Sequence, residues 1–263
     1  NDKTGQKMSK SKGNIIVPAE MIERYGADAV RFYLYTDSNA GDFKNFDPTG
    51  VSNVIKRTFL ILWNVVSFAE LTRPDDTSAA RDPHERDILD RWLLSQLQTL
   101  VRQTTEQMEA CNLTAAGRGL ADFVTVLSTW YVRRSRERMK NGTSQERVGA
   151  AATLSTVLTT LAQLLAPLTP FLAESLWQRL GHREPISVHL AQWPTVEKRL
   201  VSEVLNADMD IVRTAVELGH ALRAEGGVRV RQPLAQFVLA GVELSEELSN
   251  IIRDELNVQE VHV

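Results

Sequence analysis

The apolar residues of this chain recur mainly at the three- and four-residue spacing that is typical of amphipathic helices. Between residues 51 and 180 one such stripe follows another, separated by short polar or proline-containing breaks. The stripes run from Val51 to Val66, from Leu89 to Met108, from Leu120 to Tyr131, from Leu154 to Leu165 and from Phe171 to Leu180. Amphipathic helices with short connections favour antiparallel neighbours, so the pattern predicts a mainly α fold built as an antiparallel helix bundle.

The N-terminal segment has no periodic apolar face. Residues 1–14 are polar and rich in lysine, which predicts a mobile loop. Two short helices are expected next, the first beginning at Pro18 and the second capped by Asp28, before a polar loop from Asp37 to Asp47. The first long stripe is then expected to end at the Arg-Pro-Asp-Asp sequence of residues 73–76.

The C-terminal segment changes from helical to mixed patterning. A long helix is expected to end at Gly226 and Gly227, and the apolar run 237–240 predicts a buried strand. A helix over 245–256 and a strand from Val258 to Val263 complete a small α/β unit. Because two strands do not make an independent sheet, this unit is expected to be truncated. The domains that these patterns predict are residues 1–47, residues 48–199 and residues 200–263.

The composition excludes several classes of protein. Hydrophobic residues make up 43% of the chain and charged residues 24%, as in ordinary globular domains. No apolar run of about 18 residues is evident, so no membrane partner is expected. The single cysteine, Cys111, excludes an internal disulfide and a cysteine-rich metal site, which favours a reducing, cytoplasmic location and no bound metal. The net charge is −3, so any site for a nucleic acid has to be local.

One local stretch has the charge that such a site needs. The helix that carries the third stripe turns basic at its end, where five cations oppose only Glu137. Cations packed this densely repel one another, and a bound polyanion relieves the repulsion. Trp130, at the root of the stretch, has the spacing of a core residue, which favours burial over a role as a stacking platform. The predicted RNA-binding residues are Trp130, Arg133, Arg134, Arg136, Arg138 and Lys140.

The N-terminal loop also carries candidate chemistry. Three lysines and two serines lie within the six residues from Lys7 to Lys12. Ammonium groups on a loop suit a phosphate group, because they offset negative charge on a leaving pyrophosphate. The alternative is a solvated basic segment, which is the common fate of a charge run. The composition of the loop does not decide between the two.

The order of residues in the loop does decide. Lys7-Met8-Ser9-Lys10-Ser11 resembles the signature loop of the class I aminoacyl-tRNA synthetases. The segment 22–31 looks like the segment that follows this loop in the isoleucyl, valyl and leucyl subgroup. Four further segments are similar to isoleucyl-tRNA synthetases, namely residues 130–136, 187–194, 230–234 and 255–261. Several ordered matches along the whole chain are far more specific than one motif.

The resemblance implies a bundle of the class I synthetase anticodon-binding type. It implies that Lys7 and Lys10 are catalytic and contact ATP phosphates, while Met8, Ser9 and Ser11 complete the ATP loop. The longer enzyme would use ATP with Mg²⁺ and join isoleucine to tRNA(Ile). The chain holds no His-Ile-Gly-His segment, so isoleucine would bind only through a catalytic domain that lies elsewhere. The isolated chain is expected to be inactive and to carry no bound cofactor.

Two other interpretations remain open from the sequence. A valyl-tRNA synthetase has a similar architecture, so the chain would fit that enzyme as well. A free-standing helical RNA-binding module that retained the ATP loop as a relic is the second alternative. Preferential binding of isoleucine tRNA over valine tRNA would argue against the valyl enzyme. A reading frame that continues upstream into a nucleotide-binding domain would argue against the relic, whereas a start near Asn1 would support it.

Overall fold

The computed structural model describes residues 1–39, 41–74 and 80–263. Helices dominate it, which confirms the predicted mainly α fold. The helices are α1 (Pro18–Tyr25), α2 (Ala27–Thr36), α3 (Pro48–Val54), α4 (Leu60–Leu71), α5 (Ile88–Glu109), α6 (Leu113–Val126), α7 (Arg133–Asn141), α8 (Ser144–Leu165), α9 (Pro170–Arg179), α10 (Glu203–Glu225) and α11 (Glu246–Leu256), with strands β1 (Leu234–Val238) and β2 (Val258–His262). Two compact units result, Asn1–Leu200 and Val201–Val263, while the predicted three-part division stays a prediction.

Two of the predicted stripes are continuous helices that contain a π-helical turn. The turn Ile55–Phe59 joins α3 to α4, and the turn Leu127–Val132 joins α6 to α7. Such turns are rare and occur often at functional sites. The second turn directly precedes the basic helix α7. Of the break predicted at residues 73–76, Asp75 and Asp76 lie outside the described residues.

Helix α8 lies in the core of the first unit. It begins with a capping box, in which Thr143 and Glu146 satisfy each other's backbone amides. Its buried face includes Leu154, Leu158 and Leu161, and it packs against α5, α7 and α9. By length and composition α8 is apolar enough to cross a membrane, contrary to the expectation that no such run exists. Most of its apolar window is buried inside the bundle, as in the core helix of a globular domain.

Polar contacts at helix ends attach the N-terminal helices to this bundle. The Asp28 carboxylate on α2 accepts a hydrogen bond of 2.6 Å from the Leu172 amide at the start of α9. Burial raises the pKa of Asp28, and hydrogen bonds from the backbone amides of Leu172 and Phe171 oppose that rise. Arg31 donates to the Pro167 carbonyl at 3.1 Å, and Arg118 on α6 donates to the last carbonyl of α2 at 2.8 Å. The negative charge of Asp28 at the start of α9 and the positive charge of Arg118 at the end of α2 match the dipoles of those two helices.

The second unit is a parallel βαβ arrangement. Helix α11 connects strands β1 and β2, which pair in parallel with Leu234 opposite Val258. The predicted strand 237–240 overlaps β1 but is displaced, because pairing with β2 begins at Leu234, directly after Pro233, and the chain turns at Gly241 with φ 83°. The buried guanidinium of Arg223 on α10 donates to the Leu256 carbonyl at 2.5 Å, which ties the end of α11 to α10.

Candidate functional site

The basic helix α7 presents cations on one exposed face. Arg133, Arg136 and Lys140 are exposed, and their spacing of three and four residues places them on the same side of the helix. Ser135 and Met139 are buried on the side that faces the bundle. Packing of α7 against the bundle therefore directs these three cations towards solvent.

The exposed cations differ in their contacts inside the protein. Arg133 donates from Nε to the Thr129 carbonyl at 2.7 Å. The Arg136 guanidinium lies 5.4 Å from the centre of the Phe68 ring. Within the described ranges, neither Arg136 nor Lys140 forms an ion pair with another side chain. The nearby carboxylate of Glu137 accepts a hydrogen bond of 2.7 Å from Asn141. The surface therefore keeps positive charge that a polyanion can meet.

Arg138 differs from its neighbours on α7. Its side chain is only 13% exposed, and its two terminal nitrogens donate to the Asp90 carboxylate at 2.8 and 2.6 Å. Asp90 itself is 1% exposed. A guanidinium committed to a buried carboxylate is not available to a phosphate group. α5 thus supplies a counter-ion for Arg138 inside the bundle, and the prediction that Arg138 contacts RNA stays a prediction that requires the guanidinium to leave Asp90.

The two aromatic residues before α7 lie in the core. Tyr131 is fully buried, and its hydroxyl donates to Asp90 at 2.5 Å. Burial raises the pKa of Tyr131 well above its ordinary value, and the negative charge of Asp90 adds to the rise. Trp130 is 9% exposed, as the spacing of a core residue predicts, and a stacking role for it stays a prediction. Arg134, the remaining predicted residue, is partly exposed.

Asp90 is the residue of this cluster that the sequence did not single out. It stands in the first turn of α5, directly after the N-cap residue Asp87 and two apolar residues. An acidic residue in a first turn is an ordinary complement to the helix dipole, so it carries no signal of burial. Its partners Tyr131 and Arg138 lie 41 and 48 residues away along the chain.

The N-terminal loop is organised by short polar side chains rather than lacking regular structure. The Asp2 carboxylate accepts hydrogen bonds from the Thr4 hydroxyl at 2.7 Å and from the Asn14 side-chain amide at 2.8 Å. Asn14 in turn accepts from the Ser9 amide at 2.9 Å. Hydrogen bonds from Thr4 and then from Asn14 hold the pKa of Asp2 well below its usual range. Asn and Asp side chains compete well for local backbone groups, which closes the loop.

The predicted ATP-loop residues lie together on a short 3-10 turn. The turn spans Lys10–Lys12 and is followed by Gly13 at φ 64°. The Ser9 and Ser11 hydroxyl oxygens are 3.2 Å apart, and Met8 is partly buried. Lys7 and Lys10 are exposed and form no ion pair with a described residue. The loop therefore presents ammonium and hydroxyl groups that fit a polyphosphate. The described residues contain no group of three acidic, histidine or cysteine side chains that could hold a metal ion.

Comparison with known proteins agrees with this arrangement. The family model described as the anticodon-binding domain of tRNA ligase matches residues 90–239, which is more than half of the chain. The model of class I tRNA synthetases (I, L, M and V) matches residues 1–47. The two models thus cover the basic helix α7 and the lysine loop, respectively.

Curated relatives and a solved structure extend the comparison. The isoleucine–tRNA ligase of Thermus thermophilus is 44% identical and covers 100% of this chain and 26% of its own length. The corresponding ligase of Deinococcus radiodurans is 42% identical, with 99% and 25% covered. The chain thus spans about a quarter of the length of these relatives. The Agrobacterium radiobacter K84 agnB2 LeuRS-tRNA-LeuAMS ternary complex matches with a TM-score of 0.58 and 26% identity, over 77% of this chain and 23% of that chain. This chain belongs to the anticodon-binding domain family of the class I tRNA ligases.

Proposed function

We propose that this chain is the part of an isoleucine–tRNA ligase that holds the anticodon region of tRNA(Ile) and contributes the ATP-phosphate loop. The observation that carries the proposal is the exposed cation face of α7 inside the region that matches the anticodon-binding model. Relatives that match the whole chain at 42–44% identity bear the name isoleucine–tRNA ligase, which supports isoleucine as the amino acid. The proposal includes a cytoplasmic location, which the single cysteine of the sequence favours.

Binding of RNA on α7 would act mainly through phosphates. Arg133, Arg136 and Lys140 form the proposed contact face, and Arg134 lies at its border. Phosphate contacts fix the position of an RNA but carry no sequence information. Other residues of the domain therefore have to read the anticodon bases. The fixed backbone of α7 lets the cations meet the RNA without a large cost of ordering.

The lysine loop would act on the other substrate. Lys7 and Lys10 are proposed to contact ATP phosphates, and Ser9 and Ser11 to support the turn that presents them. ATP, accompanied by Mg²⁺, supplies the adenylyl group that activates the amino acid. Ammonium groups at the loop offset the charge that develops on the departing pyrophosphate. Isoleucine itself would bind to a catalytic domain outside this chain.

A titration of the chain with tRNA tests the RNA-binding part. Transcripts of isoleucine tRNA and valine tRNA are compared over a series of salt concentrations. We expect tighter binding of isoleucine tRNA and an affinity that falls linearly with salt on a log–log plot. Equal affinity for both transcripts would contradict the isoleucine assignment, and an affinity independent of salt would contradict the phosphate contacts.

An exchange assay tests the assignment of the catalytic part. The isolated chain is expected to catalyse no isoleucine-dependent exchange between ATP and pyrophosphate, because alignment of the reactants supplies much of an enzyme's rate. Adding a separately produced catalytic domain is expected to restore exchange, and the variant Lys10→Ala is expected to reduce it. Exchange by the chain alone, free of host enzyme, would place the active site within these residues.

A further inference from the structure

A buried polar network joins α7 to α5 and α8. The two terminal nitrogens of Arg138 on α7 each donate a hydrogen bond to Asp90 on α5, and a third hydrogen bond of 3.0 Å runs to Ser135. The Tyr131 hydroxyl donates to the same carboxylate and lies 3.3 Å from the Ala150 carbonyl on α8. Arg138 and Tyr131 therefore share one carboxylate of α5, and the Tyr131 hydroxyl extends the network to α8. Neither the RNA-binding nor the ATP-binding part of the proposal uses this network.

The charges of this network are balanced within the protein. Asp90 lies in the first turn of α5, where backbone amides favour an anion. Asp87 adds a second carboxylate 3.8 Å from Arg138. Burial disfavours the charged form of Arg138, but its hydrogen bonds to Asp90 and the nearby negative charges outweigh burial and raise its pKa. Arg138 therefore stays charged, and Asp90 is its counter-ion.

The network holds α7 near both ends. Tyr131 lies in the π-helical turn just before the first residue of α7, and Arg138 lies in the last turn. Arg133 and Arg136, which face solvent, lie between these two anchors. A planar guanidinium paired with both oxygens of a carboxylate fixes orientation as well as distance, which a lysine cannot do. The two anchors therefore add to the packing of Ser135 and Met139 in restricting the rotation of α7 about its own axis.

We propose that Arg138, together with Asp90 and Tyr131, is a positioning residue that fixes the direction of the α7 cation face towards RNA. This inference rests on the proposed function of that face. Loss of positioning changes the affinity for RNA in the opposite direction to a purely electrostatic effect. The variant Asp90→Asn removes a negative charge, so long-range electrostatics alone would tighten the binding of RNA. Loss of positioning weakens it instead.

The test uses the 263-residue chain and a transcript of isoleucine tRNA. Asp90→Asn is compared with Asp122→Asn, which removes an exposed carboxylate from α6 and serves as the matched control. We expect Asp90→Asn to weaken binding by about threefold to tenfold, which lies in the lower part of the range of couplings found within one hydrogen-bond network. Asp122→Asn is expected to leave binding unchanged or to tighten it. Melting curves establish that each variant is folded at the temperature of the titration.

A second readout separates positioning from a general loss of structure. Arg136→Ala is measured in the parent and again in the Asp90→Asn background. If α7 has lost its orientation, Arg136 contributes less in that background, so the two changes together weaken binding by less than the product of their separate effects. Multiplicative effects would contradict positioning, because they mean that the cation face works equally well without the network.

The remaining outcomes are also decisive. If Asp90→Asn binds the transcript as tightly as the parent or more tightly, the positioning role is overturned. Tyr131→Phe removes only a hydroxyl and decides the question by the same comparison should Asp90→Asn fail to fold. A parent chain without salt-dependent binding would overturn the proposed function together with this inference. Binding by the parent with an unaffected Asp90→Asn variant overturns the inference alone.

Discussion

The cation face of α7 leads to a quantitative prediction about salt. Each phosphate contact that a cation makes releases counterions and contributes about 0.7–0.9 to the slope of log affinity against log salt. Three contacts, from Arg133, Arg136 and Lys140, predict that affinity falls about 20- to 40-fold between about 50 and 200 mM salt. Removing one cation leaves two contacts, so the fall shrinks to about 7- to 12-fold over the same range.

The assay is a titration of isoleucine and valine tRNA transcripts at several salt concentrations with Arg136→Ala and Lys140→Ala. Both variants are expected to weaken the two transcripts alike, because phosphate contacts carry no sequence information. Arg199→Ala serves as the matched control, since this exposed cation is already paired with Glu197 at 3.4 Å. Arg138→Ala is expected to cost about 3–5 kcal/mol of stability instead, because it leaves Asp90 buried and unpaired.

Two results would refute this reasoning. An unchanged slope in Arg133→Ala, Arg136→Ala and Lys140→Ala would show that the face is only solvated and that the anticodon site lies elsewhere. A slope lowered by Arg138→Ala at an unchanged melting temperature would show that Arg138 leaves Asp90 and contacts the RNA. The structure predicts the opposite on both points, since exposure and pairing differ between these residues.

Three further predictions concern stability and the loop. Trp130→Ala is expected to cost about 3–5 kcal/mol in thermal or urea unfolding, since the ring is buried. Gly117→Ala is expected to cost about 1–3 kcal/mol, because its Cβ would lie 2.5 Å from a methyl group of α2. The control Gly119→Ala, on the same helix with open space around it, is expected to stabilise by about 0.5–1 kcal/mol. The pKa of Asp2 is lowered on folding, so its contribution is complete at neutral pH and is lost as the pH falls from about 4 towards the folded pKa. Asp2→Ala is therefore expected to speed cleavage by trypsin within residues 7–12 at neutral pH, and cleavage at the parent's rate would contradict the loop network.

The helical part of the fold follows from the sequence, because burial on one side imposes a period that the sequence displays. The stripe from Leu120 to Tyr131 is observed as one continuous buried face through α6 and the π-helical turn. The predicted strand 237–240 is displaced from β1 for a physical reason. Its residues are mostly exposed, so the apolar run that was expected to mark it is a poor guide, and pairing with β2 sets its position.

The loop shows what composition leaves undetermined. Lysines and a lack of apolar residues predicted mobility over residues 1–14. The structure has a turn there, because Asp2 and Asn14 satisfy backbone and side-chain donors from both sides of the loop. These two residues are twelve positions apart, and a reading of local composition gives no weight to such a pair.

Helix α7 separates cations that look equivalent in the sequence, and the reason bears on basic helices in general. Trp130, Arg134 and Arg138 follow one another at a spacing of four residues, which places them along one side of the helix. The buried residues of this helix include Trp130, Tyr131, Ser135 and Met139, and Arg138 lies at the border of that buried face. A cation at such a border can remain inside if another helix supplies a carboxylate. Arginines that look equivalent along one helix are therefore separated into buried anchors and solvent-facing cations by residues elsewhere in the chain, here by Asp90 of α5.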